Sequence, residues 1–217
     1  MDQDLTGIIC VVDRSGSMEA IREDAIGGFN TFLADQKKLP GKAEMTIALF
    51  DDQYDVIHRC TPINDVAPFD NTTFVPRGST ALLDAIGRTM NEVGAELANR
   101  DEAARPGKVI MVILTDGQEN SSREFNRQKI LEMITHQQDA YQWEFIYLAA
   151  GQDAIGEAGM LGIRASNAIN FNATGKGVKA SYDAISCSVG SYRSVGKVAD
   201  WSVVNNAEDL DSSSARN

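Results

Sequence analysis

Five oxygen-bearing side chains, spread over three short turns, are the residues of this sequence whose types and spacing could do chemistry together. Asp13, Ser15 and Ser17 alternate along one turn, where Gly16 lets the backbone bend closely. Thr80 closes a second turn that runs from Pro76 through Arg77, Gly78 and Ser79, and Asp116 opens a third, followed by Gly117, Gln118, Glu119 and Asn120. Two carboxylates facing each other repel unless a proton, a basic side chain or a metal ion stands between them. A proton would relieve the two carboxylates but gives the three hydroxyls no shared target. Carboxylates with neutral hydroxyls, and no Cys or His, make an all-oxygen set that suits Mg²⁺, Mn²⁺ or Ca²⁺ and does not suit zinc. Taken singly, each of these residues also reads as an ordinary helix N-cap.

For the three turns to meet, the elements before them must lie side by side. Residues 7–13 and 108–116 are continuous, β-branched apolar runs, each ending in aspartate, and read as fully buried parallel strands. Residues 143–151 behave similarly, 44–50 and 54–59 read as a hairpin turning at 51–53, and 168–171 as a short edge strand. Helical periodicity covers 19–37, 81–98 and 177–195, and a capping box from Ser121 to Glu124 marks a further helix ahead of Phe125, Ile130, Met133 and Ile134. The alternation predicts an α/β fold: a doubly wound, Rossmann-like, mostly parallel sheet with one antiparallel edge strand and helices on both faces. Ligands of such sheets bind beyond the carboxyl ends of the strands, where strand order reverses. If the two aspartate-ended strands are the central pair, Asp13 and Asp116 meet there. One domain is expected over 1–200, with 201–217 a poorly ordered tail.

At these residues the sequence resembles the von Willebrand factor A domain family. The resemblance rests on Asp13-x-Ser15-x-Ser17 after an apolar strand, then Gly78-Ser-Thr80, then Leu114-Thr-Asp-Gly117, in the family's order, and spans roughly residues 5–195. The phrasing around Asp13 and Asp116 is more similar to single-domain intracellular members of bacteria and their phages than to secreted adhesion modules. The resemblance implies a complete metal-ion-dependent adhesion site, with Ser15, Ser17 and Thr80 on the cation and Asp13 and Asp116 direct or through water. It also implies an open coordination position for an acidic side chain of a partner protein, and hence a non-catalytic binding module. Arg14, Ser79, Gly117, Gln118 and Glu119 are the candidates for the rim a partner would meet. Arg14 departs from the small residue of many adhesion members and either bonds the partner's carboxylate or points into solvent.

Composition narrows the classes further. Of 217 residues 31 are Asp or Glu and 20 Lys or Arg, a formal charge of −11 concentrated in the first third of the chain, which disfavours nucleic acid and anionic membranes as partners. The apolar run 109–114 is far short of the roughly 20 residues that span a bilayer. Three cysteines without C-x-x-C spacing indicate neither a disulfide framework nor a zinc knuckle, and with no secretory signal at the start the expected compartment is the cytoplasm. Few carboxylates and that compartment favour Mg²⁺. A Mg²⁺-dependent phosphoryl-transfer or nucleotide-processing enzyme is the rival reading. Against it, Ser15 stands where an Asp-x-Asp nucleophile pair needs its second acid, and no P-loop or Gly-x-Gly-x-x-Gly follows the first strand. His58 and His136 fall outside the expected site loops. A scaffold with a purely structural metal is the third reading.

Overall fold

The computed structural model describes residues 1–150 and 153–199. In chain order these form β1 (Asp2–Asp13), α1 (Arg22–Lys38), β2 (Lys42–Phe50), β3 (Tyr54–Pro62), α2 (Leu82–Ala98), β4 (Pro106–Thr115), α3 (Arg127–Tyr141), β5 (Glu144–Ala150), α4 (Ala154–Met160), β6 (Ala168–Phe171) and α5 (Gly175–Val195). A 3-10 turn, Gly16–Ile21, leads from β1 into α1.

The strands build one six-stranded sheet in the order β3-β2-β1-β4-β5-β6. Every neighbouring pair is parallel except β2 and β3, the antiparallel hairpin at one edge. The expected doubly wound architecture is therefore the observed one. β1 shows why its sequence is continuous rather than alternating. Ile8, Cys10 and Val12 point to the face covered by α1 and α5, where Phe29, Phe32, Val178 and Ile185 pack. Ile9 and Val11 point to the opposite face, against Leu82, Ile86 and Met90 of α2 and Ile130 and Ile134 of α3. With helices on both sides, an apolar residue at every position is what burial requires. On the first face α1 and α5 meet closely: a Cβ at Gly28 would lie 2.2 Å from the Tyr182 ring, so this contact forms only because position 28 has no side chain.

One expectation about helices needs correction, and one helix was not anticipated. The box from Ser121 to Glu124 does not start α3. That helix begins at Arg127 with Asn126 as its cap, the Asn126 Oδ1 accepting from Lys129 N at 2.9 Å. Glu124 instead pairs with Arg88 on α2. The short α4, capped by Asp153 through Gly156 N, carries too few apolar positions for its period to show in the sequence. Gly151, expected to close the fifth strand, and the tail 201–217 lie outside the described residues. Among those described, no helix is long and apolar enough to cross a membrane.

Candidate metal centre

β1 has β2 on one side and β4 on the other, and the chain leaves β1 and β4 on their carboxyl side at the place where strand order reverses. This register puts Asp13, opposite Phe50 of β2, at the end of β1, and Thr115, immediately before Asp116, at the end of β4. Asp13 is fully buried. Its Oδ1 accepts the Ser15 N–H at 2.7 Å and its Oδ2 accepts the Thr115 hydroxyl at 2.6 Å, so the carboxylate is fixed from both strands. Ser15 Oγ lies 3.1 Å from Ser17 Oγ, and Ser17 Oγ donates to Asp116 Oδ1 at 2.7 Å. The first turn and the third are thus joined through side chains ninety-nine positions apart.

Thr80 arrives from the second turn. A Cβ placed on Gly117 would stand 2.9 Å from Thr80 Oγ1, 3.5 Å from Ser17 Oγ and 3.7 Å from Ser15 Oγ. Three hydroxyls from two turns therefore converge on one point above Gly117, which stays open because this residue is glycine. Burial pushes the Asp13 carboxyl up to about 6, with the nearby Asp116 charge adding to it and hydrogen bonds from Thr115 and Ser15 opposing. Burial raises Asp116 as well, against the bond from Ser17. Two partly desolvated carboxylates beside converging neutral oxygens form a pocket that a positive charge would relieve. The donor set is oxygen throughout and fits a hard divalent cation. Among the described residues no group of three or more His, Cys, Asp or Glu gathers anywhere, and this centre has two carboxylates with hydroxyls around them.

The residues expected at the rim differ in their exposure. Ser79 and Gln118 are exposed at the edge, and Gly117 forms the floor of the cradle. Arg14 does not point into solvent: at 6% exposure it is committed to the hairpin tip, its Nε 2.9 Å from Asp51 Oδ2 and its other end against Asp55. A guanidinium this desolvated needs acidic partners, and the hairpin tip supplies them. Glu119 is also committed. Its Oε2 accepts from Leu83 N at 2.9 Å, at the start of α2, and its Oε1 from Ser121 N and Ser122 N at 3.0 and 2.8 Å.

Four residues outside the expected ligand set hold the site together. Thr115 orients Asp13. Asn120 exchanges bonds with Thr80, its Oδ1 accepting from Thr80 N at 2.9 Å and its N–H donating to Thr80 O at 3.1 Å. Asp84, in the first turn of α2, accepts from Arg123, Glu124 and Phe125 N–H groups at 2.8–2.9 Å, pinning the turn that carries Asp116. Asp51, in the hairpin turn expected at 51–53, is buried and bonded to two arginines. Its partners sit 37 and 26 positions away and leave no local pattern in the sequence.

No protein-family model matches the sequence, and no curated protein matches it. Solved structures match by fold. Proximal thread matrix protein 1 from the mussel byssus aligns with a TM-score of 0.60 at 14% identity over 86% of this chain and 47% of that one. It has also been solved with a zinc-occupied MIDAS motif. A von Willebrand factor type A structure from Catenulispora acidiphila aligns at 0.55 and 12% identity, over 86% of this chain and 42% of that one. The chain is similar in fold to von Willebrand factor A domains. Manganese-loaded TRAP protein of Plasmodium vivax aligns at 0.51 and 14% identity, over 76% and 65% of the two chains. The chain spans about half the length of the first of these structures. At such identities the likeness is one of fold.

Proposed function

We propose that this chain is a metal-dependent protein-binding module whose divalent cation is held by Asp13, Ser15, Ser17, Thr80 and Asp116. The observation that carries the reading is the convergence of Ser15, Ser17 and Thr80 hydroxyls on one point above Gly117, beside two carboxylates whose burial disfavours their charge. When bound there, the cation supplies a positive charge with a coordination position open to an Asp or Glu side chain of a partner protein. Neutral hydroxyls leave more of the ion's charge unspent than carboxylates would, so an acidic chain can still attract an acidic group. Mg²⁺ is the cation we favour, because a set with few carboxylates suits it and Mn²⁺ shares its ligand preferences.

The chain's own part is to hold the three turns in register and to keep its other charges out of the way. Arg14 and Arg77 are both paired with Asp51 and Asp55, so neither competes with the cation for the site. No enzymatic step is proposed: the two carboxylates of the site are read as belonging to the cation, and neither histidine stands among the converging residues. His58 lies on β3 and His136 on α3.

The test is Mn²⁺ titration by calorimetry, followed by capture of lysate proteins on the immobilised chain in Mg²⁺ or in chelator. Expected are one binding site per chain and a captured protein that chelator releases and Asp13→Asn fails to capture. A wild-type chain that takes up no divalent cation would refute the reading.

A further inference from the structure

The hairpin tip next to the metal centre holds a charge arrangement that none of the proposed ligands needs for itself. The Asp51 carboxylate is fully buried, and its Oδ2 accepts from Arg14 Nε at 2.9 Å and Arg77 Nε at 2.8 Å, while its Oδ1 accepts the Gln53 N–H at 2.6 Å. Arg14 sits between Asp13 and Ser15 in the first turn, and Arg77 lies three positions before Thr80 in the second. The buried Asp51 carboxylate, with the half-exposed Asp55 as a second acid against the same arginines, therefore ties together the two turns that contribute all three hydroxyls.

The main chain repeats the connection. Arg14 N donates to Phe50 O at 2.8 Å, Arg77 N to Arg14 O at 2.9 Å, Gly16 N to Gly78 O at 3.2 Å, and Ala81 N, next to Thr80, to Asp51 O at 2.9 Å. Asp51 is thus attached to the first turn through a side chain and to the second through both side chain and backbone. Burial acts to raise its carboxyl, yet the bonds from Arg77 and Gln53 and the Arg14 charge more than offset this and hold it below the usual range, so it is anionic when it does so.

We infer that Asp51 is the positioning residue of the metal centre: without touching the cation, it sets the separation of the Ser15/Ser17 turn from Thr80 through Arg14 and Arg77. This rests on the metal-binding reading above. Groups that orient ligands from behind typically change metal affinity by roughly 10–100-fold when lost. The selectivity consequence is more specific. Mg²⁺ demands near-ideal octahedral geometry at short distance, whereas Ca²⁺ accepts longer and more variable ligand sets. Slackening the spacing of the turns must then weaken Mg²⁺ more than Ca²⁺, which mere loss of global stability would not do.

The experiment is competition of Mg²⁺ and of Ca²⁺ against Mn²⁺ in the full chain, for wild type, Asp51→Asn and Arg77→Met, alongside far-UV circular dichroism and melting in chelator. Asp51→Asn keeps shape and one acceptor oxygen but loses the buried charge, leaving the half-exposed Asp55 as the remaining acid against both arginines. Arg77 is half-exposed, so Met there tests the same link in a chain whose folding is not at risk. Expected is a loss of Mg²⁺ affinity of roughly tenfold or more in both variants, with a smaller loss for Ca²⁺ and an unchanged fold. If Asp51→Asn does not fold, Arg77→Met decides by the same ratio. Affinities within twofold of wild type, or a loss equal for both ions, would overturn the inference while leaving the metal reading intact. Absence of binding by wild type would instead remove the reading itself.

Discussion

At the scale of single residues, Asp13 and Gly117 hold opposite halves of the site's logic. Asp13 carries a charge the fold disfavours. Its carboxyl is raised from 3.8 to about 6, so the folded chain binds a proton more tightly than the unfolded one between those values. Where the native state holds more protons, stability falls as pH rises. Without cation, the chain should lose about 2 kcal/mol from this residue between pH 4 and 6, with the small remainder gone by about pH 7. Asp116, raised in the same sense, adds to the loss. Asp13→Asn removes the effect, and its amide can still accept from Ser15 N while donating to Thr115 Oγ1. Subtracting melts of this variant from wild type in chelator, from pH 4 to 8, isolates the effect from carboxylates such as Asp70, which is lowered to about 2 and acts only in stronger acid. A difference that does not change across pH 4 to 6 would refute the placement. Since proton and cation compete for the same carboxylate, Mn²⁺ affinity should climb up to about pH 6 and then level. Gly117 contributes empty space. Gly117→Ala places a methyl 2.9 Å from Thr80 Oγ1 at a position whose backbone is not in the left-handed region. It should abolish the Mn²⁺ response while moving the melting temperature in chelator by no more than a few degrees, and calorimetry with a parallel melt checks both.

At the scale of elements, the turn carrying Asp116 is held by acids that belong to, or reach, the first turn of α2. Asp84→Ala removes the acceptor of three backbone N–H groups at 123–125 and leaves them partly buried without a partner. A loss of about 2 kcal/mol is expected, with faster amide exchange confined to 116–126, measured by denaturant unfolding and hydrogen exchange. Uniform acceleration over the whole sheet would show that the effect is not local. These bonds also mark where the sequence stopped being readable. β1 and β4 were visible because burial on both faces demands unbroken apolar runs, and the Asp13-x-Ser15-x-Ser17 turn because its oxygens alternate locally. Arg14 was misplaced because its partners Asp51 and Asp55 come from a hairpin that local spacing does not connect to it. Ser121 and Glu124 mimicked a capping box, yet the N–H groups of 123–125 are capped by Asp84 from another helix. Local patterns report what neighbours in sequence do, and both errors fall where neighbours in space take over.

For the whole molecule, the difficulty lies in separating a specific cation from a general one. With a formal charge of −11, any divalent salt will steady the fold somewhat by screening repulsion among exposed carboxylates. Screening depends on ionic strength and saturates, and at physiological salt it is already effective beyond about 8 Å. A bound ion behaves differently, because it stabilises the native state in proportion to the logarithm of its concentration over its dissociation constant, reaching about 2.7 kcal/mol at a hundredfold excess. For a chain of this size that is a rise in melting temperature of roughly 5–10 °C. At fixed ionic strength, the melting temperature should therefore keep rising with Mg²⁺ or Mn²⁺ past the concentration that half-fills the site. Asp13→Asn, whose net charge differs by a single unit, should show only the small screening response. A curve that Na⁺ at matched ionic strength reproduces, or one that Asp13→Asn shares, would mean that the acidity of the surface and not the cradle above Gly117 is what the cation meets.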